Sequence, residues 1–325
     1  MSHGAFRTPS PHSAKTRTRT FSRVIGAVVA GCLLGAAPAA QRTPPAESSG
    51  DLIELDVVAL DRQDQPVAGL RQEEFQVKED GRLVDIKTFA HVTVLGSTQP
   101  DDARLVTLLL DDVGVPMSGT YPMRSIAQVM LSPAGRGDEV SVVRLSSRSD
   151  EAVGDYQTAR DRIDGYHGGV VPFSSRDTPE TVLKMIAKIA RQLESVDHRR
   201  KVILCVGLPA VCDIGEPAFG AVNPLWPSWV GAVSATARAN ASVYAVDPTG
   251  LSRGSGAHGI GLVTLTGGEL FANSNDFLRA ADAIWSRASR YYLLGYWPSA
   301  DKRELHSIDV KVARKDVRLH VRRTR

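Results

Sequence analysis

Three stretches of the chain carry side chains of the kinds that do chemistry. Asp111-Asp112 follow directly on the apolar run LVTLLL at 105–110. Two carboxylates at a strand end offer hard oxygen donors, the ligands that Mg²⁺ selects. Ser118, Thr120 and Thr178 carry hydroxyls that could join them, although Thr178, before Pro179-Glu180, also reads as a helix cap. The second stretch, Gly250-Leu251-Ser252-Arg253-Gly254, fits the G-x-S-x-G elbow of α/β hydrolases. That elbow needs its serine at a sharp turn straight off a strand, but Asp247-Pro248-Thr249 separates the motif from the strand ending at Val246. Asp282 and His306 follow in the chain order of a triad, with His306 in a β segment away from the sheet end. The third stretch, Gly254 to Gly259, fits G-x-G-x-x-G, yet it comes late in the chain and opens no helix. Both glycine motifs are therefore read as loop. A serine hydrolase using Ser252 stands only as an alternative, and the expectation is a protein that is not an enzyme.

Cys205 and Cys212 are seven positions apart. In an oxidising compartment they could close a small disulfide loop; otherwise they are two separate thiols, with Cys205 buried in a strand. The spacing is not that of a zinc or redox C-x-x-C site. The loop 208–228 (LPAVCDIGEPAFGAVNPLWPS) and the adjoining Trp229 bring together Phe219, Trp226 and Trp229. Tryptophan is enriched in binding hot spots, so these three are candidate ligand contacts; the alternative is that they pack the loop onto its own domain.

The N-terminus bounds where such chemistry takes place. Residues 1–40 carry Arg7, Lys15, Arg17, Arg19 and Arg23, no acid, and the apolar run VIGAVVAGCLLGAA from Val24 to Ala37. Small residues around Ala37-Pro38-Ala39 complete the pattern of a signal peptide over 1–40, with a polar linker at 41–50. Export to the periplasm or the extracellular space is expected, with no membrane span in the mature chain. Val29-Ala30-Gly31-Cys32 resembles a lipobox, which keeps lipid anchoring through Cys32 open. Without the five basic residues of this segment, 34 basic residues face 36 acidic ones. A near-neutral mature chain gives no electrostatic reason to expect nucleic acid.

The elements that must position these residues follow from periodicity. LIELDVVALD at 52–61, a strand from Phe75 and a strand over Leu83–Phe89 make a β segment at 51–97, too small to bury its own core. From 103 to 289, buried strands (LVTLLLD, EVSVVRLSS, KVILCVG, ASVYAV) alternate with helical patterns at Tyr121–Leu131, from Thr178, at Trp229–Asn240 and at Asn275–Ser289. EAVGDYQ after Asp150 suggests a strand returning as a hairpin. The alternation predicts an α/β domain with a doubly wound, mostly parallel sheet. Residues 290–325 turn β again. The two β segments, 51–97 and 290–325, are expected to pair into one small sandwich around the inserted domain.

LVTLLLDD, GDEVSVVRLSS, RRKVILCVG, SVYAVDPTGL, LTGGELF and RYYLLGYWP, in this order, resemble the bacterial VWFA-related (acidobacterial-type) family. ELDVVALDRQDQPVAGLRQEEFQVKEDG resembles its leading segment. The resemblance implies a von Willebrand factor type A-like domain and recognition of a protein or cell-envelope ligand. Such domains hold Mg²⁺ through D-x-S-x-S after the first strand, a later threonine, and an aspartate after a central strand. On this chain Asp111 matches the first aspartate, Thr178 is a possible threonine, and Asp112, Ser118 and Thr120 could supply further oxygens. The two serine positions fall on Val113 and Val115, and the late aspartate would sit near Gly207, where the sequence reads Gly207-Leu208-Pro209. The implied site is therefore degenerate: no cofactor is expected, and Mg²⁺-dependent adhesion is the alternative.

Overall fold

The computed structural model describes residues 52–94, 104–135, 137–147, 154–169, 178–196, 200–207, 214–217, 223–252, 261–299 and 305–325. The expected signal peptide, the linker, Cys32, Cys212, Phe219 and the second glycine motif lie outside these residues. Five strands form the central sheet: β5 (Leu105–Leu110), β6 (Glu139–Arg144), β7 (Lys201–Val206), β8 (Ala241–Val246) and β9 (Leu270–Phe271). They lie in the order β6-β5-β7-β8-β9, and every pair is parallel. β5, β7 and β8 are buried along their whole length. A parallel sheet needs crossovers that cover both faces, which is why these strands read as nearly continuous apolar runs.

Alternate residues feed two cores. Leu105, Leu109, Ile203, Cys205 and Val243 enter one, packed under the helices α3 (Thr178–Glu194) and α4 (Trp226–Ala239). Leu108, Leu110, Leu204, Val206 and Tyr244 enter the other, under α1 (Thr120–Leu131), α2 (Tyr156–Asp164) and α6 (Phe277–Ser289). A short helix, α5 (Leu262–Leu265), sits before β9. In α3, Val182, Ile186, Ile189 and Leu193 recur at the helical period and face the first core. None of the helices among the described residues is long and apolar enough to cross a membrane.

Three sequence expectations change here, and the first is that the strand read over Leu83–Phe89 is two strands, Arg82–Val84 and Ile86–Thr93, in separate sheets. Asp155 accepts the amides of Gln157 and Thr158, both at 2.9 Å, and the Thr158 hydroxyl. It therefore caps α2, and Tyr156-Gln157 begin a helix in place of a returning strand. Trp226 also belongs to a helix, with Pro227 in its first turn, where a missing N–H costs nothing.

The flanking segments build two antiparallel sheets. One has the order β12-β1-β10-β4, from Arg318–His320, Ile53–Leu60, Arg290–Tyr296 and Ile86–Thr93. The other has the order β11-β2-β3, from Ile308–Val312, Phe75–Glu79 and Arg82–Val84. β10 lies between β1 and β4, and β11 pairs β2, so residues from both sides of the α/β domain share each sheet. Leu55, Val57, Phe75, Val77, Tyr292, Leu294 and Ile308 fill the core of this sandwich. It is joined to the amino edge of the parallel sheet by buried polar contacts. Arg200 donates to Asp56 at 2.6 Å, Asn240 donates to the other Asp56 oxygen at 3.0 Å, and Arg322 donates to the carbonyls of Ala237 and Glu54.

Candidate functional site

An open α/β sheet binds ligands at its carboxyl edge, where the strand order reverses. Here the chain runs from β5 outward to β6, then returns to β7 on the other side of β5. The reversal lies between the ends of β5 and β7, where the Asp111 amide donates to the Val206 carbonyl at 3.0 Å. Asp111, Asp112 and Gly207 are therefore brought to the expected crevice.

The two aspartates are buried, 1 % and 2 % exposed. Asp111 Oδ1 accepts the amides of Val113 and Gly114 at 3.0 and 2.6 Å, folding the loop over its own carboxylate. Asp112 turns towards β6, where one oxygen accepts the Ser146 amide at 2.9 Å and the other accepts the Ser146 hydroxyl. Tyr166 donates its hydroxyl to the Asp111 carbonyl at 2.7 Å. Burial first, then the Asp111 and Asp112 carboxylates, push its phenol above its ordinary value, so it stays a donor. Gly168 closes the arrangement: a Cβ there would lie 2.7 Å from the carbonyls of Val115 and Pro116. Its amide donates to Thr120 Oγ1 at 3.1 Å.

Val113 packs against one core and Val115 is buried in the other. The loop thus straddles the sheet and anchors one valine on each side. A serine at either position would lose this packing. Ser118 is exposed and makes no hydrogen bond to either aspartate. Thr178 opens α3, with its side chain outside the described residues. The donor set is poor for an octahedral Mg²⁺: Val113, Val115 and Gly207 beside the aspartates carry no side-chain oxygen, the loop amides engage Asp111 Oδ1, and Ser146 engages both Asp112 oxygens. Among the described residues no group of three or more His, Cys, Asp or Glu is placed to hold a metal.

The sequence reading missed Asp247. It follows β8 as Asp111 follows β5, and it is 1 % exposed. Oδ1 accepts the amide and hydroxyl of Thr249 at 2.9 and 2.7 Å, while Oδ2 is buried with no hydrogen-bond partner among the described residues. The available signal was its place, the first residue beyond an apolar strand of the same sheet.

The remaining candidates divide. Cys205 is buried and disulfide-bonded. Trp226 and Trp229 stack with ring centroids 5.8 Å apart. Trp229 is only 3 % exposed and belongs to the core, which leaves it no face for a ligand and corrects its place among the candidate contacts. Trp226 is half-buried at the start of α4. Ser252 ends a short turn at Gly250–Ser252, its side chain outside the described residues. His306 meets Asp80 of the sandwich at 2.7 Å, and Asp282 is exposed on α6. The order Ser252, Asp282, His306 is not assembled as a triad.

No protein-family model matches the chain, and no curated protein matches it. Solved structures with a related chain path include an aerotolerance-related membrane protein of Bacteroides fragilis carrying multiple mutations to serines. That match has 10 % identity and a TM-score of 0.39, over 56 % of this chain and 97 % of the other. The N-terminal domain of TFIIH p34 matches at 14 % identity and a TM-score of 0.28, over 58 % and 90 %. Manganese-loaded TRAP protein of Plasmodium vivax matches at 9 % and 0.34, over 72 % and 96 %. At such identities and scores the fold class rests on this chain's own strand order and layers: a parallel α/β sheet carried between the halves of a β-sandwich.

Proposed function

We propose that the chain is an exported, non-enzymatic binding protein with a von Willebrand factor A-like domain, recognising a protein or cell-envelope ligand without a bound metal. One observation carries this reading. At the carboxyl-edge crevice the loop after β5 is closed on itself, with Asp111 accepting the amides of Val113 and Gly114 and the two valines seated in opposite cores. Displacing the loop to make room for an ion would strip the Val113 and Gly114 amides of Asp111 Oδ1 and expose apolar side chains. Each unmatched buried amide costs about 1–3 kcal/mol.

Calorimetric titration with Mg²⁺ and Mn²⁺ tests the metal part. No saturable heat is expected, and a stoichiometric exotherm abolished by Asp111→Ala would reinstate metal-dependent adhesion. Envelope material captured equally in Mg²⁺ and in excess chelator agrees with the proposal; capture lost in chelator contradicts it.

A further inference from the structure

We propose that the chain forms a symmetric dimer through the outer edge of β4, joining two sandwiches into one continuous antiparallel sheet. β4 is an edge strand eight residues long, paired only with β10. Its hydrogen-bonding polarity follows from one contact. The Val94 amide donates to the Ser289 carbonyl at 2.7 Å, and the register then runs Thr93↔Arg290, Val92↔Tyr291, His91↔Tyr292. In an antiparallel pair, hydrogen-bonded and non-hydrogen-bonded positions alternate. Val94, Val92 and Ala90 therefore bond β10, while Phe89, His91 and Thr93 turn their N–H and C=O groups outward. Among the described residues nothing bonds this outer row. Gln72 reaches only the Ile86 carbonyl at the strand's start, at 3.0 Å.

An unpaired edge is a template for another strand, and folded proteins guard such edges by shortness, charge, proline or a bulge. The other antiparallel edges here are guarded. β12 and β3 have three residues each, and β11 carries the exposed charges Asp309 and Lys311. β4 reads IKTFAHVT, with no proline and one charge. That charge, Lys87, sits at the register shift opposite Gly295 and Tyr296 and faces Asp85 at 3.3 Å. Thr88 to Thr93 carries no Lys, Arg, Asp or Glu and no register shift.

The sequence of that stretch favours a second copy of this chain as occupant. An isologous contact needs an edge complementary to itself. A two-fold axis at His91 pairs His91 with its symmetry mate and Phe89 with Thr93, all outward-facing positions, and forms about six ladder bonds. Across the same axis Ala90 meets Val92, so small or β-branched side chains face each other, and no lysine, arginine or carboxylate is opposed to its like. Phe89 and His91 are already fixed on the sandwich by their stacking on Tyr292, at 5.7 and 4.7 Å, so the edge is ordered before it is paired.

The test is the mass of the purified chain by sedimentation equilibrium over a hundredfold range of concentration. The weight-average mass is expected to rise from one protomer towards two. Ala90→Lys, at an exposed position, sets two lysines diagonally across the axis and should hold the mass at one protomer with an unchanged Tm. His91→Pro removes an outward N–H and no bond to β10, and should also hold the mass at one protomer, with a lower Tm because the stacking on Tyr292 is lost. A monomer throughout the range, or a dimer that both variants leave intact, overturns the proposal.

Discussion

Asp56→Ala should be among the most damaging single substitutions in the chain, although Asp56 is remote from the candidate crevice. Asp56 lies on β1 of the sandwich, while its partners Arg200 and Asn240 precede β7 and β8 of the parallel sheet. The Asp56 and Arg200 side chains are 6 % and 2 % exposed. Burial lowers the Arg200 pKa, but the Asp56 charge and hydrogen bond, with Tyr244 and Tyr291, together raise it above its ordinary value. Truncating Asp56 leaves that cation buried with only the face of Tyr291, 5.2 Å from its centre, as compensation. Removing one partner of a buried ion pair costs about 3–5 kcal/mol, and the lost Asn240 bond adds about 1. About 4–6 kcal/mol is a large share of the roughly 5–15 kcal/mol that holds a domain folded. Urea unfolding read by far-UV circular dichroism should show a much lower midpoint. The double variant Asp56→Ala, Arg200→Met should recover most of the loss, because it removes the stranded charge with its partner. A loss below about 1 kcal/mol, or a double variant as unstable as the single, would refute the account of how the two parts are joined.

Other outcomes follow from single contacts. Burial would raise the pKa of Asp138, but Arg104 and the amides of Gly135 and Arg104 hold it below its ordinary value. Its stabilising effect is thus present above about pH 4 and lost as pH falls through the depressed folded value. Urea midpoints should drop in that window, and the drop should be smaller in Asp138→Asn. Trp229→Ala should cost about 3–5 kcal/mol by emptying a core position, while Trp226→Ala, half-buried, should cost clearly less. Equal losses would contradict the assignment of Trp229 to the core. Asp112→Ala should cost about 1–3 kcal/mol by freeing the Ser146 amide, and hydrogen exchange should show that amide losing its protection.

How much of this was legible in the chain depends on the range of the forces involved. The nearly continuous apolar runs at 105–110, 201–206 and 241–246 announced a parallel sheet, because only a sheet covered on both faces buries consecutive side chains. Val113 and Val115 announced a loop after β5 without side-chain oxygens at those positions, because valine carries none. Local sequence was less reliable where a single cap decided the matter. Asp155-Tyr156-Gln157 looked like strand, and the hydrogen bonds of one carboxylate made it the start of a helix.

What the sequence determined by itself was the kind of layer each segment could join and the donors each loop could offer. Tertiary structure alone decided who met whom. Asp56 finds Arg200 across 144 residues, His306 finds Asp80 across 226, and Trp229 turns inward where its composition suggested a contact surface. Periodicity reports one face of one element. Pairing between distant elements is fixed only when their faces compete for the same buried space and every buried charge must find its partner there.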